Sequence, residues 1–429
     1  MITQLRLRNF KNFEDATLTL GPLTVIAGAN AAGKSNLRDA FRFLHGIGRG
    51  YSMAEIIGEK WSAGGVREWA GMRGGLREVA THGHDSFSLE VKNVRLRTST
   101  KRVLGNTLVY SIETELNDED GRPRVRDELL FVEGYSLPIF KRSHLEKDHL
   151  KLVLPRYGKP GRHPPSKRYI NFFPMLPQII TDRTESVHVQ SWCRLMRDQL
   201  ASCRFLDLSP SAMRLPSIPG QVVLGDRGDN LSSVLQAVCA DDAKKSALLD
   251  WVRQLTPMDA VDFDFPADQT GRVLLTLVEA DDRRTSAYSA SDGTLRLLAI
   301  LAALLGPEPA RFYFLEELEN GIHPNRLALL VQLLETTTVQ GKTQVVATTH
   351  SPQLLRLLSR ESLEHASVVY RLPGTSAGRI KRIVDIPHIR EVLETQDLAR
   401  LHESGWLEDI LNFSEAPEPR EADEVDLCA

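Results

Sequence analysis

The segment LTVIAGANAAGKSNLRDAFRFL, residues 23–44, contains the pattern that decides the fold. Its first five residues form an apolar run typical of a buried strand, and this run leads into Gly28-x-x-x-x-Gly33-Lys34-Ser35. The apolar residues that follow repeat at the spacing of one helix face: Leu37, Ala40, Phe41 and Leu44. A strand, a glycine-rich loop and a helix in this order predict a phosphate-binding loop.

The residue types in the loop indicate its ligand. Gly28 and Gly33 allow the backbone to wrap around anionic oxygens, and the following helix directs free N–H groups towards them. Lys34 supplies a positive charge for the outer phosphates, and the Ser35 hydroxyl suits the Mg²⁺ shell. A glycine turn followed by Lys-Ser by chance is the alternative, but strand, spacing and helix are all correct. The sequence therefore predicts a nucleoside triphosphate with Mg²⁺.

A second segment, RFYFLEELENGIHP at residues 311–324, supplies paired carboxylates where an apolar run ends. A triphosphate with Mg²⁺ needs one carboxylate beside the metal and another that orients the attacking water. We assign the first role to Glu316 and the second to Glu317. A helix cap or a solvated turn is the alternative for this segment alone.

Two further segments begin helices with polar residues. In SAYSASDGTLRLLAILAALL, residues 286–305, Ser291 and free N–H groups at the helix start form an anion-binding arrangement. One nucleotide does not need a second such arrangement unless it serves the phosphate of a partner subunit. In TQVVATTHSPQLLRLL, residues 343–358, an apolar strand ends at His350, and a histidine at a strand end can reach a γ-phosphate. An ordinary Ser-Asp-Gly helix cap and a structural histidine are the alternatives for these two segments taken alone.

Taken together, these segments resemble ABC-type ATPases of the RecF/SMC-like group, and more closely the stand-alone bacterial AAA/OLD-like ATPases that correspond to the ATPase half of OLD-family nucleases. The matching segments are FKNFED after the first strand, GANAAGKSN as Walker A, MLPQ as the Q-loop, SASDGTLR as the signature, FLEELENGIHP as Walker B with the D-loop, and ATTHSP with the switch histidine. The resemblance covers most of the chain and is loose from about residue 51 to residue 174.

The resemblance implies a head-to-tail homodimer, or a higher homo-oligomer, around ATP and Mg²⁺. The implied nucleotide-binding residues are Lys11, Gly28, Asn30, Ala31, Ala32, Gly33, Lys34, Ser35 and Asn36. The implied metal-site residues are Ser35, Gln178 and Glu316, and the catalytic residues are Glu317 and His350. Ser291, Asp292 and Gly293 would act as the signature in trans, and Asn320 and His323 would lie in the D-loop at the dimer seam.

One departure from the family bears on the rate of hydrolysis. Glu316 stands where the family usually has aspartate as the carboxylate on the metal side, and its side chain is longer by one methylene. Because Mg²⁺ demands near-ideal octahedral geometry, a displaced oxygen is expected to slow turnover. We therefore expect a slow ATPase.

The predicted fold class is α/β: an ABC-type P-loop NTPase core with flanking helices, an antiparallel β-lobe and a helical or irregular lateral insertion. Long coiled-coil arms are not expected, because no sustained heptad pattern separates the motifs. The expected regions are residues 1–50 with Walker A, 51–135 as the β-lobe, 136–230 as the lateral insertion with the Q-loop, 231–388 as the second ATPase lobe, and 389–429 as a C-terminal helix with an acidic tail.

Residues 137–174 are rich in lysine and arginine, with aromatic residues interleaved. Such a stretch can follow a phosphate backbone and stack bases, and it can equally be a solvated insertion that contacts a partner protein. The net charge of −3 gives no global argument for nucleic acid. DNA binding therefore remains one of two open alternatives.

Composition narrows the class further. The four cysteines show no metal-ligand spacing, and the start of the chain lacks a signal-peptide pattern, so we expect a cytoplasmic protein with reduced thiols. The longest apolar run, residues 297–305, is too short to span a membrane. No D-x-D pair follows His350, so the metal-binding nuclease domain of OLD proteins is not expected.

We interpret the sequence as a regulatory ATPase that dimerises around ATP and controls a separately encoded effector, for which a nuclease is one candidate, with DNA sensing in antiviral defence as the expected role. A RecF-like repair ATPase is one alternative and predicts salt-sensitive DNA binding that depends on ATP. A slowly hydrolysing, ATP-locked assembly scaffold is the other. No membrane partner is expected.

Overall fold

The structure is a computed structural model that describes residues 1–93, 107–116, 121–154, 166–256, 258–341, 343–372 and 374–386. The predicted C-terminal helix and acidic tail, residues 389–429, lie outside the described residues.

Strands make up two large sheets and two small ones. In chain order the described strands are β1 (Ile2–Phe10), β2 (Phe13–Thr19), β3 (Leu23–Ala27), β4 (Lys60–Trp61), β5 (Arg67–Trp69), β6 (Ser86–Asn93), β7 (Leu108–Glu115), β8 (Arg124–Val132), β9 (Phe140–Leu145), β10 (His149–Val153), β11 (Ser166–Ile170), β12 (Cys203–Leu206), β13 (Ala260–Asp264), β14 (Thr276–Glu279), β15 (Arg284–Ser286), β16 (Phe312–Leu315), β17 (Gln344–Thr349), β18 (Ser367–Arg371) and β19 (Gly378–Arg382).

Helices flank these sheets. The described helices are α1 (Lys34–Arg49), α2 (Met53–Ile57), α3 (Gly75–Glu78), α4 (Met175–Thr181), α5 (Val187–Ala201), α6 (Pro210–Met213), α7 (Leu231–Cys239), α8 (Asp242–Leu255), α9 (Asp292–Leu305), α10 (Pro324–Val339), α11 (Pro352–Arg356) and α12 (Arg360–Leu363), followed by a 3₁₀ turn at Ile383–Asp385.

The central sheet has the strand order β12-β16-β17-β3-β18-β19. Its first five strands run parallel, and β19 closes the edge antiparallel. Both faces of this sheet are covered. In β16, Phe312 and Phe314 face the apolar cluster that includes α1, whereas Tyr313 and Leu315 face the cluster that includes α9. The fully apolar strands of the sequence are therefore strands buried on both sides.

The second large sheet has the order β11-β10-β9-β8-β7-β6-β1-β2, with antiparallel neighbours throughout. The predicted antiparallel β-lobe is present in β6, β7 and β8. The sheet continues past residue 135, however, because β9, β10 and β11 extend it and contain most of the described basic segment. The first part of the predicted lateral insertion is therefore a set of strands, and its helical part begins at α4.

Helices α7 to α12 lie within residues 231–388. The apolar run at residues 297–305 lies in α9, where almost every side chain is buried. Within the described ranges the longest helices, α1 and α10, have 16 residues each, so these ranges contain no long coiled-coil arm. None of the helices in that part of the chain is long and apolar enough to cross a membrane.

Candidate functional site

The candidate site lies at the carboxyl ends of three neighbouring parallel strands. Strand β17 lies between β16 and β3, so the segments that follow these strands meet at one edge of the sheet. The glycine-rich loop follows β3, the paired glutamates follow β16, and His350 follows β17. Ligands of open α/β sheets bind outside the carboxyl ends of the strands.

Lys34 is the first residue of α1, and its side chain turns back into the loop. Its ammonium group donates to the carbonyl oxygens of Gly28 at 2.5 Å and Ala29 at 2.9 Å, and it lies 3.1 Å from Nδ1 of His350. Burial lowers the pKa of Lys34 to about 8, an effect that the charges of Glu317 and Glu319 oppose. The lysine is thus held inside the loop, at the place where phosphates would bind.

Asn12, which the sequence analysis did not single out, supports the loop. Its side-chain amide donates to the carbonyl oxygen of Ala32 at 3.0 Å and accepts from Asn36 at 2.7 Å. Gly33 has φ of 127°, and a Cβ there would come within 2.8 Å of the Asn12 amide. Glycine is therefore required at this position both by conformation and by space. Asn12 lies next to Lys11 in the FKNFED motif. The motif indicated this segment, but nothing in the sequence singled out Asn12 within it.

His350 connects the lysine to a glutamate. Its Nε2 lies 3.5 Å from Oε1 of Glu317, while its Nδ1 faces the Lys34 ammonium. Because an ammonium group only donates, Nδ1 must accept, and we assign the proton of the neutral ring to Nε2, facing the carboxylate. Glu317 itself has φ of 49°, its N–H donates to the Thr348 hydroxyl, and its Oε2 accepts from Asn320. The strained backbone directs this half-exposed carboxylate towards the histidine.

Glu319 is a second residue that the sequence analysis missed. Its Oε1 accepts hydrogen bonds from the backbone N–H groups of His350, at 2.7 Å, and Ser351, at 3.1 Å. Glu319, which follows β16, therefore fixes the turn that follows β17. Its Oε2 is buried and has no hydrogen-bond partner among the described residues.

Glu316 lies deeper than Glu317. Its Oε1 is 3.4 Å from Nε of Arg38, and burial raises the pKa of this carboxyl group, with Arg38 opposing and Asp207 adding to the shift. The same Oε1 is buried and makes no hydrogen bond within the part of the chain that the structure describes. A buried carboxylate oxygen that receives no hydrogen bond suits the oxygen-rich shell of Mg²⁺. Asp207, which follows β12 on the next strand, is a further carboxylate that sequence reasoning did not identify.

Two predicted site residues have other contacts in this structure. The Lys11 ammonium lies 2.8 Å from Oδ2 of Asp39 and donates to the carbonyl oxygen of Arg73, and its side chain is only 7% exposed. The Gln178 side-chain amide both accepts from and donates to the backbone of Ile170, at the end of β11. The structure does not bring either residue to Lys34, and their nucleotide and metal roles stay predictions.

The predicted signature lies at the start of α9, against the predicted D-loop. Ser291 caps the helix by accepting from the Thr294 N–H at 3.1 Å, and Asp292 pairs with Arg214 at 2.8 Å. A Cβ on Gly293 would come within 2.0 Å of the Gly321 carbonyl oxygen, so the two segments touch through glycine. An open cleft of about 420 Å³ lies where the two segments meet, and its lining includes Ser291, Gly293, Gly321 and His323.

Several side chains of the basic segment already have partners. Arg168 pairs with Glu146 at 2.6 Å, Arg142 pairs with Asp127 at 3.4 Å, and Lys167 contacts both Asp182 and Glu185. The Tyr169 ring is largely buried, and its hydroxyl donates to Asp182. These pairs reduce the positive charge that this part of the sheet offers to a nucleic acid. Residues 155–165 of the segment lie outside the described ranges.

Comparison with known proteins gives a family match over most of the chain. Residues 23–356 match the family described as "AAA domain, putative AbiEii toxin, Type IV TA system". A protein of Helicobacter pylori (strain ATCC 700392 / 26695) described as "ATP/GTP phosphatase" is 21% identical over 367 residues, which cover 84% of this chain and 88% of that protein.

Solved structures with similar chains include heads of SMC proteins. An SMC head bound to the C-terminal winged-helix domain of ScpA aligns with a TM-score of 0.49 and 11% identity, over 89% of this chain and 96% of that chain. The SMC head domain from Thermotoga maritima aligns with a TM-score of 0.42 and 12% identity, over 89% of this chain and 98% of that chain.

Proposed function

The chain belongs to the AAA-domain family whose model matches residues 23–356, within the ABC-type, RecF/SMC-like group of ATPases, and from this membership we propose that it hydrolyses ATP with Mg²⁺ as a head-to-tail dimer that controls a separate effector. The similarity to an ATP/GTP phosphatase supports nucleoside triphosphate hydrolysis as the reaction class.

One observation carries this proposal: Lys34, His350 and Glu317 come from the ends of three different strands and meet side by side. The ammonium lies 3.1 Å from one ring nitrogen of His350, and the carboxylate lies 3.5 Å from the other. Triphosphate hydrolysis beside a glycine-rich loop needs a cation, an imidazole that can donate or accept a hydrogen bond, and a carboxylate. These three groups are adjacent here.

Each residue has a distinct role in the proposed reaction. Lys34 would exchange its loop carbonyl partners for the outer phosphate oxygens of ATP. His350 would release the lysine and donate its Nε2 proton towards the γ-phosphate. Glu317 would accept a proton from the attacking water and hold that water in line.

Ser35 and Glu316 are the residues that would hold Mg²⁺, the first through its hydroxyl and the second through Oε1. When bound, the ion would neutralise charge on the β- and γ-phosphates. Glu316 must first separate from Arg38, which lies 3.4 Å from that oxygen. This exchange is a physical reason for slow turnover, in addition to the extra methylene of glutamate.

The dimer part of the proposal rests on the Ser291 end of α9. This helix start and the Gly321 turn border an open cleft of about 420 Å³, and no side chain from the Lys34 loop lines it. A partner's ATP bound to Lys34 of that partner would meet the Ser291 and Gly293 N–H groups here.

The effector part of the proposal has the least support. The matched family's description names a toxin of a type IV toxin–antitoxin system, which favours a component that acts together with a separately encoded partner. We propose that the ATP state of the dimer controls that partner, with DNA as the signal in antiviral defence.

A slowly hydrolysing, ATP-locked scaffold is the second candidate, and the Arg38–Glu316 contact favours it. A carboxylate that already has a cationic partner binds Mg²⁺ less readily. By contrast, the ion pairs in the basic segment do not favour a RecF-like repair ATPase.

The experiment that tests the proposal is steady-state ATP hydrolysis by the full chain, with and without duplex DNA at low salt, together with its mass by light scattering. Lys34→Ala is the matched control, and it should abolish both hydrolysis and ATP-dependent assembly. Turnover without DNA and a further rise with DNA would support the DNA-sensing ATPase. ATP-dependent assembly with negligible turnover would support the scaffold, and no ATP binding by the folded protein would overturn both.

A further inference from the structure

A basic cavity, distinct from the cleft at Ser291, opens beside α1 on the side facing β12. Its volume is about 620 Å³, within the range of small-molecule sites. Six arginines and three acidic residues line it. The arginines are Arg38, Arg42, Arg49, Arg67, Arg204 and Arg227. An excess of positive charge in a concave site is unusual in a protein whose net charge is −3.

The arginines converge because of the helix period. Arg38, Arg42 and Arg49 repeat along α1 at spacings of four and seven residues, so they lie on one face of the helix. Arg204 lies in β12, which packs beside that helix. The concentration of charge is therefore built by regular elements and not by loops.

The cavity arginines have few partners. The guanidinium groups of Arg204 and Arg49 form no ion pair or hydrogen bond with a residue that the structure describes, although Arg49 lies over the Tyr51 ring. Nε of Arg42 is buried without a hydrogen-bond partner there. The exceptions are Arg38 and Arg67, whose contacts with Glu316 and Glu59 measure 3.4 and 3.3 Å, and Arg227, which donates to the Ser209 hydroxyl at 3.3 Å. Grouped cations that repel one another and lack counter-charges cost free energy unless an anion joins them.

The three acidic residues offset only part of this charge. None of Glu68, Asp207 and Asp226 comes within ion-pair distance of a cavity arginine in the described ranges. Burial raises the pKa of Asp226, and Arg42, Arg204 and Arg38 oppose this shift. His45 is neutral at pH 7, because burial lowers its pKa to about 4.

We propose that this cavity binds a compact phosphorylated small molecule, separately from the Lys34 loop. Guanidinium groups match phosphate oxygens in geometry and charge, and several converging on one concave site suit adjacent phosphates. The aromatic rings of the cavity already have contacts within the protein: Arg42 stacks on Trp69, and Tyr51 packs edge-on against the same ring. The site therefore recognises phosphate groups and offers no free ring to a base.

A duplex nucleic acid fits the cavity less well. Duplex binding uses basic residues spread along an accessible face, where they follow successive phosphates. Here Arg38, Arg42 and Arg204 are partly buried, and the lining of the pocket includes the buried Phe205 and Cys203. The cavity also adjoins Glu316 through Arg38, so a ligand that engaged Arg38 would compete with that carboxylate.

The test uses sodium tripolyphosphate, titrated by calorimetry into the full-length Lys34→Ala variant without Mg²⁺ and with EDTA. Lys34→Ala removes the lysine of the loop, so the remaining binding reports on the cavity. Arg204→Gln and Arg49→Ala, each added to that variant, should weaken binding about 10-fold or more. Arg183→Ala is the matched control, because this exposed arginine lies outside the cavity. Arg38 is left intact because of its contact with Glu316.

The outcomes separate clearly. Tripolyphosphate binding that survives Lys34→Ala and Arg183→Ala but fails in both cavity variants would establish the site. Absence of binding to folded Lys34→Ala, or equal binding by all variants, would overturn it. A duplex DNA that binds tighter than tripolyphosphate and depends on the same arginines would also overturn it, in favour of a nucleic-acid surface. Because ATP hydrolysis is not measured, failure here leaves the ATPase proposal intact.

Discussion

The Lys34 ammonium and Nδ1 of His350 lie 3.1 Å apart, although 316 positions separate the two residues in the chain. The contact spans two adjacent parallel strands, β3 and β17, whose register brings Ala27 opposite Thr349. It uses the last of the three ammonium protons, because Gly28 and Ala29 accept the others. The lysine and the histidine therefore hold each other in place in this structure.

His350→Ala should lower kcat for ATP about 100-fold, with a smaller change in the Kd for ATP. The change removes a donor for the γ-phosphate, whereas Lys34 keeps its two carbonyl partners and its charge. Rapid-quench turnover and equilibrium nucleotide binding measure the two quantities. His82→Ala, at an exposed histidine, is the control and should match the unaltered protein. Full activity in His350→Ala would show that the ring has no part in the reaction.

Glu317→Gln should bind ATP and stop hydrolysing it, with a loss in kcat of at least about 100-fold. Glutamine has the size of glutamate and can still accept from Asn320, but it cannot accept a proton from water. Because the triphosphate then persists, light scattering should show a long-lived ATP dimer. Glu308→Gln, at an exposed position, is the matched control. Normal turnover in Glu317→Gln would move the catalytic role to another carboxylate.

Glu319→Ala should slow hydrolysis and lower stability, because the N–H groups of His350 and Ser351 lose their shared acceptor. The Ser351 N–H keeps the Thr349 hydroxyl as an acceptor at 2.9 Å. The expected stability loss is therefore about 1–2 kcal/mol, typical of one partly buried donor left unpaired. As a positioning residue, Glu319 should affect kcat more than KM, and Glu319→Gln should restore most of the rate through its remaining oxygen.

Glu335→Ala provides the control for that prediction. Glu335 accepts from the Ser359 N–H at 2.8 Å, outside the candidate site. It should therefore lower the melting temperature as Glu319→Ala does, while kcat stays unchanged. Equal losses of kcat in both variants would reduce the role of Glu319 to general stability.

The sequence was sufficient for the strand ends and their loops. Buried parallel strands are apolar throughout and stop abruptly, so the glycine loop after β3, the glutamates after β16 and the histidine after β17 could each be placed. Their meeting at one edge follows from the parallel sheet. The individual roles of Glu317, His350 and Ser291 stay predictions until the variants are measured.

Other features carry no sequence pattern. Asn12 and Glu319 each make two hydrogen bonds to groups distant in the chain, and such contacts appear only when the chain is folded. Strand β9 was missed because only its first residue, Phe140, is buried, which gives no alternation to detect. The family resemblance assigned nucleotide binding to Lys11 and metal binding to Gln178 from their positions in the motifs. Their contacts in the folded chain depend on neighbouring residues that no motif specifies.

The most buried carboxyl group makes stability depend on pH. Glu128 has no exposed surface, and it accepts from the Tyr110 hydroxyl and from the N–H groups of Met175 and Leu176 at the start of α4. Burial raises its pKa to about 8, although these hydrogen bonds oppose the shift. The carboxyl group therefore connects the β-lobe sheet to the helical region. Its contribution to the free energy of folding depends on whether it is ionised.

The sign follows from proton linkage. Between the unfolded pKa, near 4.5, and the folded pKa, about 8, the folded state binds more protons than the unfolded state. The contribution of Glu128 to stability is therefore greatest below pH 4.5 and falls as pH rises towards 8. Its slope approaches about 1.4 kcal/mol per pH unit within that window.

Glu128→Gln removes this titration and should flatten the pH profile. Urea unfolding at pH 5.5, 6.5 and 7.5 should show the free energy of unfolding of the unaltered protein falling relative to Glu128→Gln as pH rises. Glu133→Gln is the control, because Glu133 is exposed and its contact with Lys92 lowers its pKa. Parallel profiles for the unaltered protein and Glu128→Gln would mean that the three hydrogen bonds keep Glu128 ionised when folded, despite its burial.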